Sequence, residues 1–224
     1  MSTESNSFWK IVKWFFVTFI AAYLGAVIAL DVSNRNDRKT LRIEEVKFKE
    51  LFINDLCNDI EGLNSTIDFD SKSKQAAVRF FCCYENISCH SDFNGKDLAK
   101  VTATGSFKAN YSTYQLLQQH KDIFNSNIEL KSTIFNYYDT AQRYRDNEQF
   151  RLNGFYSDFR FETFSNSELY FDAQFDIEKL LNGKHQQYVN YIRAAYSGLT
   201  LELEMYEKLR TKAFNLIDLL EKEV

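Results

Sequence analysis

Asp55, Asp59 and Glu61 are the residues whose type and spacing come nearest to a reagent set. Carboxylates at i and i+4 stand on one face of a helix and could share a divalent cation. No third ligand accompanies them at helical spacing, so a solvated helix surface is the expectation for this trio. Cys82, Cys83, Cys89 and His90 are also metal-ligand types, yet an adjacent cysteine pair followed by a five-residue gap is not a zinc spacing. The histidines, His90, His120 and His185, are scattered, and no Gly-x-Ser-x-Gly, His-Glu-x-x-His or phosphate-cradling glycine loop occurs. The chemistry-bearing residues therefore predict a non-enzyme, with no catalytic residue, no cofactor and no metal. Asn64-Ser-Thr, Asn86-Ile-Ser and Asn110-Tyr-Ser match glycosylation sequons, which arise by chance in an Asn- and Ser-rich chain.

The elements that position these residues begin with an uncharged run, Trp14 to Leu30, followed at once by Asp31 and the basic residues Arg35, Arg38, Lys39 and Arg42. As a helix this run rises about 26 Å, a little less than a hydrocarbon core of about 30 Å. Phe8, Trp9, Ile11 and Val12 extend it, and Lys10 and Lys13 can lay their stems along it with the ammonium groups at the headgroups. Trp9 and Trp14, the two tryptophans of the chain, fall where an interfacial belt would sit. A transmembrane helix over 9–32 is the reading, after a tail of 1–8. Lys10, Lys13, Trp9, Trp14, Arg35, Arg38, Lys39 and Arg42 are its headgroup anchors. The rival is a cleaved signal peptide ending at Val27-Ile28-Ala29, which the length of the apolar run and the cations just beyond it disfavour. Flanking cations are denser on the C-terminal side, so that side is expected to be cytoplasmic. The cysteines form no regular framework and agree with a reducing compartment.

Within the span, Ala21, Gly25 and Ala29 recur every four residues, Ala22 and Ala26 widen the strip, and Thr18 lies one turn before it. Small residues let two helix backbones approach closely, so Thr18, Ala21, Ala22, Gly25, Ala26 and Ala29 form a candidate association face. The expected partners are the bilayer, a second copy of the chain and a protein encoded by a neighbouring gene. A net charge of −4 and a pI near 5.5 speak against nucleic acid.

Proline is absent from all 224 residues, and few glycines interrupt the pattern, so long helices are allowed. Leu41, Phe48, Phe52, Leu56, Ile60 and Leu63 make one apolar stripe; Gly62 and Asn64-Ser65-Thr66 mark its end. The span and this helix together predict a rod of roughly 75 Å at 1.5 Å per residue. The expected segments are a basic juxtamembrane region with the first long helix over 33–66, then 67–224 as the remainder of one soluble domain. Within it, a short helix is read at Ser73 to Tyr84, a loop at Ser91 to Gly105, and renewed periodicity from Tyr111. Further helices are read at Ile128 to Phe150 and, after an aromatic segment, Glu168 to Leu180. The last runs from Lys184 to Glu221 on Tyr188, Ile192, Ala195, Leu199, Leu203, Tyr206, Leu209, Ala213, Leu216 and Leu220. The fold class is mainly α: one N-terminal transmembrane helix continuing into an antiparallel helical bundle with long first and last helices. The 21 Phe and 13 Tyr chiefly supply its core.

The Gly25-Ala-Val-Ile-Ala-Leu30 tail of the span, Ser33-Asn-Arg-Asn-Asp37, Arg38-Lys39, and Leu51 through Asp55-Leu56 to Asp59 resemble the opening of an uncharacterised bacterial family of short single-span proteins, a domain of unknown function. Tyr114-Gln-Leu-Leu and Ile123-Phe-Asn-Ser-Asn within 107–130, Thr133-Ile-Phe-Asn-Tyr-Tyr138, Tyr188-Val-Asn-Tyr-Ile192 and Leu216-Ile-Asp-Leu-Leu-Glu221 continue the resemblance. It departs at Arg35, where the family carries an aromatic, usually Trp. The resemblance implies a helical domain anchored in a bacterial inner membrane and transfers no catalytic residue. The functional expectation is an oligomeric, non-enzymatic scaffold, sensor or membrane effector. The alternatives are a tethered module that holds a small ligand in an aromatic-lined cavity, and an exported helical protein.

Overall fold

The computed structural model of the chain describes residues 4–85, 95–101, 103, 105–151, 170–171, 174–175 and 186–222. The chain is mainly helical, with a long first and a long last helix. In order these are α1 (Glu4–Glu85), α2 (Gly95–Val101), α3 (Ser112–Gln119), α4 (Ile128–Arg151), the strands β1 (Tyr170–Phe171) and β2 (Gln174–Phe175), and α5 (Gln186–Lys222). Two compact units emerge, Met1–Phe48 and Lys49–Val224.

In the first unit every side chain from Lys13 to Thr40 is exposed. Its one helix is long and apolar enough to cross a membrane, with an 18-residue window of mean hydropathy 2.2 of which nothing is buried.

In the second unit α1 corrects the expected helix end. Instead of stopping at Gly62 or Thr66 it runs to Glu85, absorbing the short helix expected at Ser73 to Tyr84. Ser65 Oγ donates to Glu61 O and Thr66 Oγ1 to Gly62 O, both at 3.0 Å, so these hydroxyls are satisfied inside the helix rather than as caps. The buried stripe also continues, but through polar residues: Thr66, Asp70 and Ser73 link Leu63 to Ala76, Ala77 and Phe80. A search for apolar periodicity loses it there.

Helix α5 agrees with the predicted span, and its buried positions alternate by four and three from Tyr188 to Leu220, the spacing of heptad packing. One expected position moves: Glu202, not Leu203, is buried. Helix α4 starts where Asn127 Oδ1 accepts the Leu130 amide at 2.9 Å, an N-cap bond. Side chains set α5 antiparallel to both other long helices. Arg210 reaches Asn64 and Tyr84 reaches Gln186, while Lys212 reaches Asn136 and Tyr206 reaches Glu148. An apolar cluster joins Ala76, Phe80 and Cys83 of α1 to Leu98 and Val101 of α2 and Tyr188 and Ile192 of α5. Helix α2 falls inside the stretch 91–105 expected as loop. Where a helix was expected over 168–180, Tyr170 pairs with Phe175 and Phe171 with Gln174 in a short antiparallel hairpin. Cys89, His90, His185 and the aromatic segment over 155–169 lie outside the described residues.

Candidate functional site

The second unit carries a seam of aspartates. Between α2 and α3 the chain passes along α1 as a strap in which Phe107 and Ala109 are buried and Ser106 and Lys108 exposed, the alternation of an extended segment. Gly105 N donates to Asp70 Oδ1 at 2.6 Å, and Asn110 N donates to Asp59 Oδ1 at 2.8 Å. Strap and helix therefore run antiparallel. The five residue steps from Gly105 to Asn110, about 17 Å at full stretch, run beside the eleven steps of helix from Asp70 back to Asp59, about 16 Å, so the strap is close to fully extended.

Both glycines at this seam have a steric reason. A Cβ on Gly105 would meet Thr66 Cγ2 at 2.7 Å and Asp70 Oδ1 at 3.1 Å; one on Gly62 would touch the Phe107 ring at 3.4 Å. The strap's backbone lies directly on α1 at the first glycine and its phenyl ring at the second.

At the far end of the strap the two carboxylates at i and i+4 act together. Asp55 Oδ1 accepts Asn110 Nδ2 at 2.7 Å, and Asp55 Oδ2 accepts the Thr113 amide at 3.2 Å. Thr113 is in the first turn of α3, whose amides need acceptors, and Tyr111 before it makes no side-chain cap; Asp55 supplies the cap from another helix. Asp59 Oδ2 accepts the Tyr137 hydroxyl at 2.8 Å. All four oxygens thus have donors, and Asp55 and Asp59 are buried. This corrects the expectation of a solvated helix surface for the pair, and Glu61 alone of the trio is exposed. Among the described residues no group of three or more His, Cys, Asp or Glu could hold a metal ion.

Burial pushes the Asp59 carboxyl up to about 6, against the opposing effect of its Asn110 and Tyr137 bonds, and Asp55 raises it slightly further. Burial, reinforced by Asp59, likewise holds the Tyr137 and Tyr138 phenols well above their ordinary value, so both are neutral. The rings around them form one cluster. Tyr138 stacks on Tyr114 at 4.6 Å and meets Tyr137 edge-on at 5.0 Å, and Phe52 contacts Tyr138 and Phe124. Phe124 holds a φ of 60°, unusual for a bulky residue, with its ring buried beside Phe52.

A cleft of about 270 Å³ between α4 and α5 is lined by Ser132, Thr133, Asn136, Tyr137, Lys212 and Asn215. Tyr137 is the one aromatic among these lining residues. Lys212 Nζ is held by Asn136 Oδ1 at 2.7 Å and Thr140 Oγ1 at 2.8 Å.

In the first unit, Ala21, Ala22, Gly25, Ala26 and Ala29 are exposed, and a Cβ on Gly25 would meet nothing within 4 Å. Thr18 Oγ1 already donates to Trp14 O at 2.8 Å, so the donor expected to reach a neighbouring helix is used within its own. Lys13, Trp14, Arg38, Lys39 and Arg42 are exposed, and Arg35 pairs with Asp31 at 2.9 Å. The side chains of Trp9 and Lys10 lie outside the described residues.

The sequence missed the strap altogether. Its available signals were the two aspartates flanking Leu56 on the buried stripe and the alternation from Ser106 to Ala109. Comparison with known proteins returned no matching protein family, no matching curated protein and no matching solved structure.

Proposed function

We propose that this chain is a single-span membrane protein whose span, 9–32, associates with a second copy and whose helical bundle acts as a non-enzymatic scaffold on the cytoplasmic side. The observation that carries the reading is the uninterrupted exposure of apolar side chains from Trp14 to Leu30. Burying so much apolar surface requires lipid or another chain. The small-residue strip supplies the place where two spans would meet, and Arg35, Arg38, Lys39 and Arg42 favour the cytoplasmic orientation. The family resemblance, with its bacterial inner membrane, points the same way. A partner encoded beside this chain would be the natural client of the scaffold.

The experiment has two stages. Membranes carrying the full chain are extracted with alkaline carbonate, and the chain is expected to stay in the pellet; release to the supernatant would overturn the anchor. A bilayer association reporter then compares the wild-type span with Gly25→Leu. Association is expected to be abolished, because leucine fills the groove where helix backbones meet. The open space at Gly25 means that the substitution disturbs nothing within the chain. Unchanged association would remove the oligomer from the proposal and leave the anchor.

A further inference from the structure

The Asp55–Asp59 pair joins three elements at one point: α1 provides the acids, the strap provides Asn110, and α4 provides Tyr137. If the strap lifts, both acids lose Asn110 and gain water. If it closes, two like charges one helical turn apart are drawn out of water together. The charged groups facing Asp59 offer no relief. On α1 there is Asp55, on the strap Tyr111, and on α4 Tyr137 and Tyr138; Arg145 and Asp146 of α4 act on Tyr111.

The neutral acid fits the closed geometry. With a proton on Asp59 Oδ2, Oδ1 still accepts the Asn110 amide. The Oδ2 hydroxyl donates to the Tyr137 oxygen, and the phenol hydrogen turns away. Both contacts survive with one bond reversed. We propose that the strap over 105–113 is a proton-coupled clasp: uptake of one proton by Asp59 holds it closed on α1, and loss of that proton frees it to lift.

The sign follows from the two protonation equilibria. With the strap closed the Asp59 carboxyl is raised to about 6, and with the strap lifted it returns toward its ordinary 3.8. The closed state therefore takes up a proton more readily, and closure strengthens as pH falls from 6 to about 4. That interval caps the change in the opening equilibrium at roughly a hundredfold, since Asp55 and Tyr137 stay beside Asp59 when the strap lifts. Above pH 6 neither state binds the proton and the dependence vanishes.

The test is amide hydrogen exchange of the strap in the full chain, held in phosphatidylcholine nanodiscs and corrected for intrinsic exchange. Protection at Gly105, Asn110 and Thr113 is expected to rise by about tenfold to a hundredfold between pH 7 and pH 4, with its onset near pH 6. Asp59→Asn, whose amide reproduces the neutral acid's acceptor and donor, is expected to be protected at both pH values with no step. Tyr137→Phe removes a charge-assisted bond from the carboxylate and a weaker neutral bond from the acid, so the onset is expected to move to higher pH. It also serves as the deciding variant if Asp59→Asn does not fold. A pH-independent wild type, protection that falls on acidification, a step that persists in Asp59→Asn, or an onset unmoved in Tyr137→Phe would each overturn the clasp.

Discussion

Residues 14–30 and 52–80 belong to the same helix and follow opposite rules. In the first stretch Phe19, Leu24 and Ile28 are more than half exposed, while in the second Asp55, Asp59, Asp70 and Ser73 are buried. Exposed phenyl and alkyl groups are costly in water and unremarkable in lipid. Buried carboxylates are costly anywhere unless each oxygen finds a donor, which the strap and α4 supply to Asp55 and Asp59. One helix can therefore serve two solvents, and what distinguishes its halves is where the polar groups find partners.

The sharpest way to break this comparison is to truncate one phenylalanine in each stretch. Phe52 is fully buried between Phe124 and Tyr138, and Phe52→Ala should cost the second unit about 3–5 kcal/mol in denaturant unfolding. Phe19→Ala should leave the same transition within about 0.5 kcal/mol, because that ring touches no core of this chain. Equal losses would show that the first stretch is packed, and the two-solvent account would fail.

Glycine gives the next largest contrast. Gly105→Ala drives a methyl to 2.7 Å from Thr66 Cγ2 beside the Asp70 carboxylate, an overpacking of about 1–3 kcal/mol. Alanine at Gly25 enters open space, so Gly25→Ala should shift unfolding by less than about 0.5 kcal/mol. Chemical denaturation of both variants measures the difference directly. A neutral Gly105→Ala would mean that the strap is not seated on α1.

How much of this was legible in the sequence depended on whether packing spoke through apolar residues. The α4 boundaries and the α5 stripe are legible nearly to the residue, because Leu, Ile, Phe and Tyr recur there at helical spacing. The continuation of α1 past Thr66 is not, since its inward face becomes Thr66, Asp70 and Ser73, and Gly62 and Asn64 resemble a stop signal. Glu202 was passed over in favour of Leu203 for the same reason, a carboxylate occupying a position that hydrophobicity assigns to its neighbour. The aspartate seam was half visible. The i, i+4 spacing marked Asp55 and Asp59, but their partners lie 51 to 78 residues away, a separation that no local pattern encodes.

Ion pairs provide the smallest and most discriminating test, because the same bond occurs in both units. Arg35 meets Asp31 at 2.9 Å and Arg79 meets Asp97 at 2.8 Å, yet the Asp31 side chain is 57% exposed and that of Asp97 only 8%. Water solvates Asp31 whether or not its partner is present, so Arg35→Ala should change stability by less than about 0.5 kcal/mol. Asp97 is sheltered from water. Removing its guanidinium partner leaves a shielded carboxylate with the Lys100 ammonium at 3.8 Å, and Arg79→Ala should cost about 1–2 kcal/mol. Repeating both measurements at high salt sharpens the contrast, since screening erases the exposed pair and reaches the sheltered one far less. If the two variants behave alike at both salt concentrations, burial is not what separates the two units, and the division would have to be sought in the covalent sequence alone.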